Sequence, residues 1–62
     1  MPTQPLGPIK ILYIEDDPSS RRLVQRLLEA EGFQVSVAED GLSGLELARQ
    51  VRPALILTDL NI

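Results

Sequence analysis

The chain has 62 residues, is 44% hydrophobic and 24% charged, and carries a formal net charge of −3 from six basic and nine acidic residues. That length allows one small domain, and the acidic balance argues against direct nucleic-acid contact, which needs clustered Lys and Arg. With no cysteine and no histidine, disulfides, thiolate or imidazole metal sites and phosphohistidine donors are excluded within the chain. No apolar run approaches the roughly 20 residues of a membrane span. No basic region followed by an apolar core marks a secretory leader, so a cytoplasmic location is the default expectation.

Residues 1–8 contain Pro2, Pro5, Gly7 and Pro8 and read as a flexible, extended lead-in. Residues 9–14 are almost continuously apolar, with Lys10 as the one charge, which predicts a strand covered on both faces. Asp17-Pro18 then signals a helix start, with Asp as N-cap and Pro at the first helical position. The predicted helix runs from Pro18 to about Glu31. Its apolar stripe is Leu23, Val24, Leu27 and Leu28, which leaves Arg21, Arg22, Gln25, Arg26 and Glu29 largely on a solvated face. Gly32 is placed to close it in a left-handed conformation.

Phe33-Gln34-Val35-Ser36-Val37 alternates apolar and polar, the period of a strand with one wetter face, as at a sheet edge. After Glu39-Asp40-Gly41 a second helix is expected, capped by Asp40 or Ser43, with Leu42, Leu45, Ala48 and Val51 as its apolar stripe. Gly44 weakens that helix by roughly 1 kcal/mol relative to Ala. Arg52-Pro53 ends it, since a residue before proline avoids the helical region. A third strand at about 54–58 leads into Asp59.

This βαβαβ order predicts parallel strands joined by helices. The wetter second strand takes an edge, which gives strand order 2-1-3. Right-handed crossovers that run first one way and then back place one helix on each face of the sheet. The reversal beside the first strand makes a switch point, and ligands of open α/β sheets bind there, outside the C-terminal strand ends. Glu15, Asp16, Asp17 and Asp59 fall at or near those ends.

Two carboxylates held about 5 Å apart repel by on the order of 3 kcal/mol at an effective dielectric of 20, so a proton or a cation must answer them. Oxygen-only ligands select a hard cation, and a few carboxylates with open positions suit Mg²⁺. Such an ion clamps phosphoryl oxygens, and Asp is an acceptor in covalent phosphoryl chemistry. The same acids also read as turn and cap residues at a wet sheet edge, and Asp17 already has a cap to make.

Taken together, Ile11-Leu12-Tyr13-Ile14-Glu15-Asp16-Asp17-Pro18, Glu31-Gly32-Phe33, Ala38-Glu39-Asp40-Gly41 and Arg52-Pro53-Ala54-Leu55-Ile56-Leu57-Thr58-Asp59-Leu60-Asn61 resemble the N-terminal half of a response-regulator receiver domain, over residues 9–62. The resemblance implies a truncated flavodoxin-like, doubly wound sheet. It implies that Asp59 takes a phosphoryl group from a histidine kinase or phosphotransfer protein. It further implies that Glu15, Asp16, Asp59 and the backbone carbonyl of Asn61 hold Mg²⁺, with Glu15 at a position that often acts through water; no ligand role comes over to Asp17. Ala54 stands where many members have Asp. The function implied is a phosphorelay signalling module and not an enzyme, with no membrane or direct nucleic-acid contact by this segment.

The Ser/Thr, the Lys and the aromatic residue of the second half of such domains have no counterpart in these 62 residues. Two alternatives therefore stand beside the signalling reading: an inert truncated fragment, and a haloacid-dehalogenase-type phosphatase with Asp59 as nucleophile. In the second, Asn61 occupies the place of that family's second Asp. The apolar third strand is expected to present an exposed edge, leaving the isolated chain marginally stable and prone to self-association.

Overall fold

The computed structural model describes residues 7–58. Most of the predicted lead-in, residues 1–6, lies outside the described residues, as does the segment 59–62 that contains Asp59 and Asn61. The elements are β1 (Lys10–Ile14), α1 (Pro18–Ala30), β2 (Gln34–Ala38), α2 (Gly41–Val51) and β3 (Leu55–Thr58). The strands form one parallel sheet in the order β2-β1-β3. This is the expected truncated flavodoxin-like βαβαβ fold, with two helices joining three parallel strands. Register aligns Ile14 with Ala38 on one side and with Thr58 on the other.

Being central, β1 is buried on both faces: Ile11 and Leu12 are in the core, joined by Val35 and Ala38 of β2. Strand pairing continues a residue beyond the strand ends, since Gln34 N–H donates to the Ile9 carbonyl and Ala54 N–H to the Lys10 carbonyl. On the far side of β1, Leu55 and Ile56 of β3 are each 50% exposed. Neither helix packs on β3 among the described residues.

Helix α1 begins as its sequence dictates. Asp17 is extended and its side chain accepts from Ser20 N–H at 2.8 Å, with Pro18 in the first turn. At its other end Gly32 takes φ 95°. There Gly32 N–H donates to the Glu29 carbonyl and Phe33 N–H to the Leu28 carbonyl, the paired bonds of a Schellman closure. The buried face differs from the predicted stripe. Arg21, Val24, Gln25 and Leu28 are half-buried against the sheet, whereas Leu23 and Leu27 stand 60% and 58% exposed. The reason is that α1 lies over β2 and β1 alone, so only a narrow strip of the helix finds a surface, and the 21/24/25/28 ridge occupies it.

The stripe of α2 is corrected in the same way. Asp40, not Ser43, is the N-cap; its carboxylate accepts from Ser43 N–H at 2.7 Å. The face toward the sheet is Gly44, Leu47, Ala48 and Val51, at helical spacing, while Leu42 and Leu45 are exposed. Gly44 sets that choice. A Cβ built there would lie 2.5 Å from Ile14 Cδ1 and 2.8 Å from Cγ1, so α2 approaches β1 closely only where glycine faces it. Arg52 ends the helix in the left-handed region at φ 49°, its N–H bonded to the Ala48 carbonyl, with Pro53 blocking continuation. No helix of the described residues is long and apolar enough to cross a membrane.

Candidate functional site

The acids predicted to matter follow directly on β1. Glu15 extends the pairing of β1 with β2 by donating its N–H to the Ala38 carbonyl at 2.9 Å. Its residue is only 6% exposed, and buried polar groups require partners. The structure supplies them. Arg21 Nη1, one turn into α1, donates to the Glu15 carbonyl at 2.9 Å. Asp17 N–H donates to Glu15 Oε2 at 3.0 Å, and the Tyr13 hydroxyl to Oε1 at 3.3 Å. Tyr13 reaches it because residues two apart in a strand share a face.

Asp16 and Asp17 are both exposed, yet their surroundings push them in opposite directions. The side-chain hydrogen bond with Glu15 raises the Asp16 carboxyl above its ordinary value, and the charge of Glu15 adds to this. Asp17 is held below its ordinary value, first by Ser20 N–H, then by the Ser20 side chain, with the Arg21 charge contributing. Its carboxylate thus serves as the N-cap of α1.

The Glu15–Asp16 pair is what the described residues offer a cation. Among them no group of three or more His, Cys, Asp or Glu is placed to hold a metal. The pair fits the chemistry of a hard ion nonetheless: its donors are carboxylate oxygens, and a divalent cation beside them would offset the like charge that raises the Asp16 carboxyl. Asp59 and Asn61, the other two predicted ligands, lie outside the described residues, immediately after Thr58 in sequence. An open groove of about 430 Å³ runs nearby, lined by Arg21 and Glu39 with Ser43, Glu46 and Gln50 of α2. Neither Glu15 nor Asp16 lines it, so the acidic junction and the concave surface are separate features.

Two participants escape a reading of the sequence. The helical pattern puts Arg21 on a solvated face, yet it is half-buried and anchors α1 to the carbonyl of Glu15. Tyr13 reads as a strand residue only. The available signal is its spacing, two residues before a carboxylate on a strand of otherwise aliphatic core positions.

An open parallel sheet of order β2-β1-β3, with two acidic residues directly after its central strand, defines a flavodoxin-like α/β protein. The chain matches the response regulator receiver domain over residues 11–62 and belongs to that family, the receivers of two-component systems. This membership decides between the two families that the sequence raises. Similar proteins include the transcriptional regulatory protein CseB of Streptomyces avermitilis, 44% identical over 52 residues, covering 84% of this chain and 22% of that protein. The DNA-binding dual master transcriptional regulator RpaA of Synechocystis is 47% identical over 53 residues, 86% of this chain and 22% of RpaA. The polar-differentiation response regulator DivK of Brucella anthropi is 36% identical over 55 residues, 89% of this chain and 45% of DivK. The chain thus spans less than half the length of these relatives. No solved structure matches it significantly.

Proposed function

We propose that the chain carries the phosphoacceptor of a two-component phosphorelay, with Asp59 receiving a phosphoryl group from a phosphohistidine of a histidine kinase or phosphotransfer protein. The place of Glu15 and Asp16, directly after the central strand and on the C-terminal rim of the sheet, carries this reading. The strand register supports it: Thr58 is aligned with Ile14, and the next residues in sequence are Asp59 and Glu15. In the transfer, a carboxylate oxygen of Asp59 attacks phosphorus, the P–N bond to imidazole breaks, and the imidazole nitrogen keeps the electron pair. Mg²⁺, when bound, neutralises charge on the phosphoryl oxygens. Glu15, Asp16, Asp59 and the carbonyl of Asn61 would hold it. A signalling role without an enzymatic activity of its own, in the cytoplasm, belongs to the same reading.

The test is incubation of the full chain with Mg²⁺ and a small phosphoryl donor, followed by intact-mass measurement. One added phosphoryl group is expected, absent in Asp59→Ala and without Mg²⁺. Labelling that persists in Asp59→Ala refutes the assignment of the acceptor.

A further inference from the structure

We propose that Tyr13 is a positioning residue for the carboxyl pair, its hydroxyl fixing the orientation in which Glu15 faces a cation. The inference rests on the reading of Glu15 and Asp16 as Mg²⁺ ligands and adds to it a residue outside the ligand set. Glu15 is 6% exposed, so bulk water has little part in orienting its carboxylate. Protein donors do that instead: Asp17 N–H on Oε2 at 3.0 Å and the Tyr13 hydroxyl on Oε1 at 3.3 Å. A donor on each oxygen sets the plane of the group and so the orientation in which it meets a cation.

The two donors differ in kind. Asp17 N–H is backbone, fixed by the cap of α1 and beyond the reach of side-chain substitution. Tyr13 is a side chain on the same face of β1 as Glu15, in a strand whose other apolar residues, Ile11, Leu12 and Ile14, carry no polar atom in their side chains. Its bond is longer than the optimum of about 2.7–2.8 Å for O–H···O contacts, so it adds little to the stability of the fold. Orientation is a different matter. A carboxylate that must be ordered at the moment of metal binding binds less well than one ordered beforehand, which is why outer-shell partners of metal ligands affect affinity.

Tyr13→Phe removes one oxygen atom and keeps the ring. Loss of an outer-shell partner weakens metal binding by typically 10–100-fold, and the long bond here puts the expected loss at about 3–10-fold. Mg²⁺ is titrated into the full chain and into Tyr13→Phe by calorimetry, and the thermal midpoint of each is measured without metal. The expected result is weaker Mg²⁺ binding by Tyr13→Phe at an unchanged midpoint. Affinity that is unchanged or tighter overturns the role of Tyr13, and so does a loss of affinity accompanied by a lowered midpoint, which marks a structural role only. A parent chain that takes up no Mg²⁺ overturns the metal reading itself, and the role of Tyr13 with it. Parent binding with an unaffected variant overturns the role of Tyr13 alone. Because Tyr13 is the only tyrosine and the chain has no tryptophan, its own emission gives an independent record of the parent titration.

Discussion

Substitution of Gly44 by Ala sets two known effects against each other at one position. In a helix interior alanine is favoured over glycine by about 1 kcal/mol, so on propensity alone Gly44→Ala should stabilise α2. The structure opposes this. The new Cβ would lie 2.5 Å from Ile14 Cδ1 and 2.8 Å from Cγ1, with Ala38 Cβ at an ordinary 3.8 Å. Cδ1 is a movable end, but Cγ1 is not, so Ile14 must change rotamer or α2 must lift from β1. Overpacking of this kind costs roughly 1–3 kcal/mol. Overpacking outweighs propensity, and the expected net loss is about 1 kcal/mol, or a midpoint lowered by about 4–8 °C for a domain this small. Thermal and urea unfolding followed by circular dichroism measure it. In an Ile14→Val background, which lacks Cδ1, the loss from Gly44→Ala should shrink by about 0.5 kcal/mol or more, as expected for residues in contact. A Gly44→Ala chain that melts above its parent would refute the close approach of α2 to β1.

Two further outcomes follow from other parts of the fold. Ser43 N–H holds Asp40 below its ordinary value of 3.8, so the stability it gives is fully present above 3.8 and is lost as pH falls through the lower folded-state value. Asp40→Asn keeps an acceptor at the cap but does not titrate there, and its stability should fall less steeply below that pH than the parent's; superimposable acid-unfolding curves would show that the cap is not linked to pH. Leu55 and Ile56 of β3 are half exposed on a strand with no partner on its outer side among the described residues. Ile56→Lys is expected to reduce self-association in sedimentation velocity, since charges on an edge strand oppose pairing; equal association by both chains would clear β3 of that role.

The elements were legible because each one is signalled locally and the signals agree. Asp17-Pro18, Asp40 and Gly32 mark helix ends by backbone chemistry, and the structure uses all three that way. Strand order followed from the wetter alternation of β2 and the handedness of crossovers. What the sequence concealed was the facing of the helices. Leu23 and Leu27 sit on the apolar arc of α1 as truly as Val24 and Leu28 do, and hydrophobicity alone does not say which pair meets the sheet. For α2 the deciding residue was Gly44, which carries no hydrophobic signal because its contribution is the absence of a side chain. The place of Glu15 and Asp16 at the end of a strand was legible in the sequence. The ties that hold Glu15 were not, because Arg21 acts through a backbone carbonyl, which no residue type announces.

The fourfold anchoring of Glu15 bears on how experiments on this rim are interpreted. Its amide joins β2, its carbonyl joins α1, and its two carboxylate oxygens engage Tyr13 and the start of α1. A replacement at this one residue disturbs the carboxylate's partners as well as any chemistry it serves, so loss of activity in a Glu15 variant does not by itself separate a missing ligand from a displaced helix. Asp16 is the cleaner probe. It is exposed, so its carboxyl can be exchanged with less disturbance to the packing behind it. In this chain the two neighbouring acids therefore differ as genetic instruments: a change at Asp16 leaves the architecture in place, whereas a change at Glu15 disturbs it.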